Sequence, residues 1–401
     1  MLITLQYLED SPELISLSKR VVIEKLKYAF DKLPITHLLI GWHIPDRLLE
    51  ACKKECEKNK VRFVRWQPLL TGDGVFTPRE EWQVTSMSGG KVAGFQNMPE
   101  FTFVCPNHVD STNVIFDHID QLTNLGIYDG FFLDRIRYPS PATNLSTHLG
   151  CFCNSCQRKA QIGGVDLGKL QKSLQNLTNS ANGKIELIKC LFGNNKAITD
   201  ESLREMVTNW MKFRESSISD FVKGVSQIIK HRGLDVGLDC FSPGLTHMVG
   251  QDLKILSRYA NWIKLMSYAH TLGPAGLPFE IIDFIDYLLK FTPLTERAAL
   301  KLLSSFLDIP LPDSIKKLQK QGLSSHALEL EIRKGKDGAC IPVLAGLELV
   351  EIPGVASFSN DQLILDHKVV RETGIAGLSI SWDLWHIPNN RLDLISSIWL
   401  E

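Results

Sequence analysis

The sequence predicts an α/β protein, a (β/α)8 TIM barrel with long insertions after strands 3, 4 and 6. Three observations carry that prediction. Eight short β-rich runs alternate with helical patterns along the 401 residues. Most runs are continuously apolar, as parallel strands covered by helices must be. No glycine-rich phosphate turn follows the first run, which argues against a doubly wound open sheet, the runner-up. A barrel needs roughly 250 residues, and more than about 400 once insertions are counted, so residues 1–401 read as one barrel domain.

The β-rich runs are residues 2–7, 37–43, 61–67, 130–136, 236–241, 262–268, 341–347 and 376–382. Between them the pattern turns helical. Asp110 and Ser111 read as the cap of a helix with Val114, Ile115, Ile119 and Leu122 on one face, stopped at Gly126. Residues 201–230 form a long amphipathic pattern through Met206, Trp210, Phe213, Phe221, Val225 and Ile229, ended by Gly233. Residues 390–399 supply the last helix.

Three connections exceed ordinary loop lengths. Residues 69–108 contain a further β-like run, Phe101-Thr102-Phe103-Val104, expected as a hairpin on the barrel rim. Residues 140–232 form an insertion with a cysteine cluster and the long helix, and residues 269–340 form a helical insertion. All three leave carboxyl ends of strands, the face on which barrel enzymes build their sites.

Bulk composition excludes several classes. With 44% hydrophobic and 22% charged residues and a net charge of -1, there is no global electrostatic case for nucleic acid or an anionic membrane. No stretch approaches the ~20 apolar residues of a membrane span, and the first ten residues lack a signal-peptide pattern. Nine cysteines, an odd and sparse set, suit a reducing, cytoplasmic setting, although a mature secreted chain with its signal removed would read the same way. Oligomeric state has no signature here.

In a barrel the informative positions are polar residues at strand ends. Strand two ends Gly41-Trp42-His43, and strand three Arg65-Trp66-Gln67. Strand four ends at Asp134, followed by Arg135, Arg137 and Tyr138. Strand five ends at Asp239-Cys240-Phe241, strand six at Met266-Ser267-Tyr268-Ala269-His270, strand seven at Leu347-Glu348, and strand eight at Trp382-Asp383-Leu384-Trp385. Asp134 interrupts a strongly apolar strand, where a carboxylate is costly unless paired or catalytic. The bland reading is an ion pair to Arg135 or Arg137. Asp239 and Glu348 repeat the pattern on two other strands, the latter with Glu351 close by.

Paired carboxylates between aromatic walls suit glycoside hydrolysis. One acid protonates the leaving oxygen, while the other attacks the anomeric carbon or activates water. In one arrangement Asp134 is nucleophile or base and Asp239 the general acid, with Glu348 or Asp383 assisting. In another, Asp134 is acid/base and Glu348 the nucleophile. Trp42, His43, Trp66, Arg137, Tyr138, Tyr268, His270, Trp382 and Asp383 are the expected substrate-binding residues, and the aromatic ones, with Trp385, offer faces on which a sugar ring can stack. Core packing is the competing reading for each aromatic.

The segment Asp129-Gly130-Phe131-Phe132-Leu133-Asp134-Arg135-Ile136-Arg137-Tyr138-Pro139 resembles the strand-four signature of poorly characterised glycoside-hydrolase-like barrel families, D-G-(apolar)3-D-x-I-R-Y-P. Val236-Gly237-Leu238-Asp239-Cys240-Phe241 is similar to their strand five, and Met266-Ser267-Tyr268 to their strand-six Met-x-Tyr. Phe103-Val104-Cys105-Pro106-Asn107-His108 and Cys151-Phe152-Cys153-Asn154-Ser155-Cys156 also look like segments of those families. The resemblance implies carbohydrate chemistry centred on Asp134 and names no sugar. The carboxy-terminal part, Glu348 included, matches none of these motifs.

Cys151, Cys153 and Cys156 form C-x-C-x-x-C, a spacing that suits a structural zinc with a fourth ligand from His148, Cys105, His108 or Cys190. Disulfides or free thiols are the competing readings, and catalysis is expected to need no cofactor. Cys52 and Cys56 lie one helical turn apart and read as incidental. Lys264, in the middle of strand six, would suit a Schiff-base lysine in an aldolase-like barrel, or a buried ion pair with a neighbouring acid. A barrel that binds carbohydrate without cleaving it, and a metal-dependent barrel enzyme, are the remaining readings. No His-x-His on strand one, His-Glu-x-x-His, Gly-x-Ser-x-Gly or P-loop occurs.

Overall fold

In a computed structural model, which describes residues 1–9, 16–73, 76–95 and 98–400, all eight apolar runs become parallel strands. Asp10 and residues 74–75 and 96–97 of the connection after strand three lie outside the described residues. The strands are β1 (Leu2–Tyr7), β2 (His37–Ile40), β3 (Arg62–Pro68), β4 (Gly130–Asp134), β5 (Asp235–Cys240), β6 (Trp262–Met266), β7 (Val343–Glu348) and β8 (Gly377–Ser381). Each pairs with the next, and β8 pairs with β1, so the sheet closes in chain order. Several strands end sooner than the apolar runs suggest. The residues beyond already turn into loops at the mouth, where Trp42, Tyr268 and Trp382 sit.

Helices cover the outside. Lys19–Lys32 follows β1, Asp46–Asn59 follows β2, Val109–Asn124 follows β3, and the 31-residue helix Glu201–His231 returns the chain after β4. Asn360–Glu372 and Asn389–Leu400 follow β7 and β8. The Val109–Asn124 helix begins before the expected cap, so Asp110 lies in its first turn, where a carboxylate favours the positive end of the helix dipole. The connection after β6 carries four helices, Leu277–Phe291, Glu296–Leu307, Ile315–Gln321 and Ser325–Gly338. The expected hairpin at Phe101–Val104 is reduced to single antiparallel bridges, Phe103 to Thr71 and Val104 to Gln83. No helix among the described residues is long and apolar enough to cross a membrane.

Strand parity decides what lies inside the barrel, because alternate side chains face opposite ways. One inward layer contains Leu39, Val64, Phe132, Trp262 and Leu344. Phe132 pairs with Gly237, and Gly237 with Trp262. The missing side chain at Gly237 lets the two outer rings stack at 5.2 Å and 12°. A Cβ there would lie 2.1 to 2.5 Å from the Trp262 ring. Two residues further along, the same parity brings up Asp239 beside Lys264. Asp134 follows one step beyond the Leu133–Leu238 pair. Gly346 leaves room for Lys264, since a Cβ at that position would come within 2.4 Å of its Cε. The apolar floor therefore gives way to a charged layer as the strands reach the mouth.

Candidate active site

A cavity of about 190 Å³ opens at the carboxyl ends of the strands. Its lining includes Glu9, Trp66, Asp134, Arg137, Asp239, Tyr268 and Trp382. Asp134 and Asp239 thus meet in one space, as their strand positions predict.

Asp134 is held from two sides. Its Oδ1 accepts the Arg135 backbone N–H at 2.5 Å, and its Oδ2 accepts the Trp66 indole N–H at 3.1 Å. Arg135 adopts φ 52, a left-handed conformation that costs a non-glycine residue about 1 kcal/mol or more and persists only where the surroundings enforce it. Here its guanidinium is gripped by Asp73 at 3.1 Å, Thr71 at 3.2 Å and the Glu100 carbonyl at 3.3 Å, and it lies over the Phe101 ring. The ion pair with Asp73 leaves Asp134 to the tryptophan and the backbone.

Asp239 sits in a different environment. Its Oδ2 accepts from the Lys264 ammonium at 3.0 Å, and its buried Oδ1 has no hydrogen-bond partner among the described residues. Burial pushes this carboxyl up to about 7; Lys264 pulls it down, while nearby Asp134 raises it further. Lys264, with 0% exposure, also donates to Tyr268 at 2.7 Å and Gln6 at 3.1 Å. Burial disfavours its charge, but Asp239 and Tyr268 outweigh that and hold it above its ordinary value. A Schiff-base lysine must be neutral to attack a carbonyl, so this pairing opposes the aldolase reading.

Arg137 lines the cavity with its guanidinium between the Phe103 and Phe241 rings, at 4.8 and 4.2 Å, and donates to the Tyr138 carbonyl at 3.1 Å. Burial lowers it to about 10, against the pull of Glu280 and Asp134, so it is a cation at neutral pH. Tyr268 and Trp382 form one wall, their rings 5.7 Å apart.

Other expected site residues lie elsewhere. Glu348 ends β7 with inward parity, yet it is not among the described residues that line the cavity. Its Oε1 accepts the His270 backbone N–H at 2.6 Å, and burial pushes it up to about 7. His270 is buried, outside the cavity lining, and stacks on Phe358. Its ring nitrogens face Asp366 Oδ2 at 2.7 Å and the Gln321 carbonyl at 2.9 Å, two acceptors that suit an imidazolium. Trp42 packs edge-on against Trp66 at 5.2 Å and donates to Asp73, while His43 stands half-exposed 3.6 Å from the same carboxylate. Tyr138 faces away from the cavity, under Arg214. Asp383 accepts the backbone N–H groups of Leu8, Glu9 and Trp385, and so fixes the chain beyond β1.

That anchored segment presents Glu9, which the strand-end reading passed over although the same rule applied to β1 points to it. Burial pushes Glu9 up to about 8, with Asp383 adding to the rise and Arg135 opposing it. Among the described residues, three carboxyls therefore line the cavity, those of Glu9, Asp134 and Asp239.

The cysteines form a separate centre. Sγ atoms of Cys105, Cys151, Cys153 and Cys156 lie within 4.8 Å of one another, all buried, and no other such group occurs among the described residues.

This architecture defines a closed (β/α)8 barrel with an acidic, aromatic-walled cavity at the carboxyl ends of its strands. Solved structures with the same fold include the PgaB (BpsB) glycoside hydrolase domain from Bordetella bronchiseptica, with a TM-score of 0.56 and 12% identity over 99% of this chain and 95% of that one. A β-galactosidase from the Antarctic haloarchaeon Halorubrum lacusprofundi gives 0.57 and 9% identity; this chain is covered completely and spans 58% of that protein. A chitinase from Chromobacterium violaceum gives 0.43 at 9% identity, over 100% of this chain and 98% of that one. No protein-family pattern matches this sequence, and no curated protein matches it significantly.

Proposed function

We propose that this chain is a glycoside hydrolase in which Asp134 and Asp239 share the chemistry. The observation that carries the reading is their meeting in one cavity in unlike environments. Asp134 accepts two N–H groups, whereas Asp239 is buried with one oxygen unpartnered among the described residues and its carboxyl raised to about 7. Unlike environments for two carboxyls separate the proton donor from the nucleophile or base. Asp134 takes the second role. Trp66, Tyr268 and Trp382 supply apolar faces for a sugar ring, and the cationic Arg137 supplies polar contact. The glycoside hydrolase domain and β-galactosidase described above use the same fold, which supports the class and leaves the sugar open.

Glu9 favours a second assignment of the acid, because its carboxyl is raised further, to about 8, and it also faces the cavity. The pH profile separates the two. A general acid must be protonated, so activity falls as pH rises through its pKa. Loss centred near 7 and abolished in Asp239→Asn identifies Asp239; loss near 8 and abolished in Glu9→Gln identifies Glu9.

The deciding experiment is hydrolysis of a glycoside panel by wild type and Asp134→Asn. A loss on the order of 10³-fold in kcat/KM is expected. Full activity in the variant would sink the assignment, and no hydrolysis by the wild type, with sugars still bound, would favour a non-catalytic barrel. The anomer released, read by NMR, reports whether the acids sit roughly 5–5.5 Å apart (retention) or roughly 6.5–9.5 Å apart (inversion).

A further inference from the structure

We infer that Cys105, Cys151, Cys153 and Cys156 bind one zinc ion, which fastens the loop after β4 to the segment that carries the cavity rim. Two of the Sγ separations are 3.3 Å, Cys105 to Cys156, and 3.5 Å, Cys153 to Cys105, within a set spanning at most 4.8 Å. Tetrahedral zinc with Zn–S bonds of about 2.3 Å places sulfurs about 3.8 Å apart, inside that range. A disulfide needs about 2.05 Å, and all nine cysteines are free. Four sulfurs converge here, where disulfide pairing would require only two at a time.

The surroundings suit thiolates. Thr85 N–H points at Cys151 Sγ at 3.4 Å, Asn107 N–H at Cys105 at 3.4 Å, and the Asn107 side-chain amide at Cys156 at 3.3 Å. Lys159 in turn donates to the Asn107 carbonyl oxygen at 3.0 Å, which orients that amide. Four thiolates and one Zn²⁺ carry two net negative charges, and a fully buried cation stands beside them. Arg214 donates from Nε to the Gly150 carbonyl at 2.9 Å, next to Cys151, and forms no carboxylate ion pair among the described residues. A buried guanidinium with no carboxylate in ion-pair contact is costly, and an anionic metal centre would add to the nearby Glu215 charge in offsetting it. Outer partners of this kind orient metal ligands and tune their affinity.

The consequence reaches the cavity. Cys105 lies two residues past Phe103, which stacks on Arg137, and four past Phe101, which stacks on Arg135. Cys151 and its neighbours are tied to Thr85 and Ser86 by backbone contacts. The metal would join these segments behind the arginines without touching substrate.

Elemental analysis of the intact purified chain is expected to return one zinc per chain. Cobalt added to the metal-stripped, reduced protein is expected to give the charge-transfer and ligand-field bands of tetrahedral thiolate coordination. Arg214→Met, which leaves all four ligands, is expected to weaken zinc about 10- to 100-fold in a chelator competition. Cys52→Ser, a buried cysteine outside the cluster, is expected to leave zinc content unchanged. The inference is overturned by a reduced chain that binds neither zinc nor cobalt, by iron in place of zinc, or by disulfides within the cluster.

Discussion

Replacing Lys264 by Met tests the charged layer of the barrel without requiring a known substrate. Methionine keeps the length of the stem that fills the space beside Gly346, and removes the ammonium 3.0 Å from Asp239. At that distance and an effective dielectric of about 20, the lost attraction is about 5 kcal/mol, or about four pKa units. Even half of it moves the Asp239 carboxyl from about 7 to about 9. The sign follows from linkage. A carboxyl raised in the folded state is protonated there while the unfolded chain is already ionised, so stability falls as pH rises until the folded value is reached. In the wild type that loss ends near 7; in the variant it continues to about 9. At pH 5 both proteins keep Asp239 neutral. Relative to that difference, the variant is expected to lose a further ~1.4 kcal/mol at pH 8 and ~2.3 kcal/mol at pH 9. Equilibrium urea unfolding of both proteins at pH 5, 8 and 9 measures this directly. Parallel curves, with the same difference at every pH, would refute the claim that Lys264 sets the protonation of Asp239.

Two further substitutions probe the geometry. Gly237→Ala places a Cβ against the Trp262 ring and is expected to destabilise the chain by about 1–3 kcal/mol, read as a lower urea midpoint at unchanged slope; an unchanged midpoint would mean the stacked pair has room to move. Trp66→Phe keeps an aromatic ring and removes the indole N–H that donates to Asp134. It is expected to lower kcat on any glycoside cleaved by the wild type, with KM little changed and a stability cost of about 0.5–1.5 kcal/mol. A variant with unaltered kcat would show that the indole N–H does not serve Asp134.

The barrel was legible in the sequence because burial on both faces writes a parallel strand as an uninterrupted apolar run. That signal survives without any knowledge of contacts. It also located Asp134 and Asp239, since a carboxylate ending such a run has few places to go except the mouth. What local pattern determined, then, was the fold, the strand order of the acids and the clustering of Cys151, Cys153 and Cys156. Which carboxyls share the cavity depended on contacts between distant segments. Glu348 turns to the His270 backbone, 78 positions away, whereas Glu9 is brought in by the grip of Asp383 across the closure of the barrel. Cys105 joins a cluster centred some fifty residues later, and Lys264 finds Asp239 only because their strands are neighbours in register. Chain closure and the direction of a single side chain are tertiary facts, and one sequence position cannot encode its partner's.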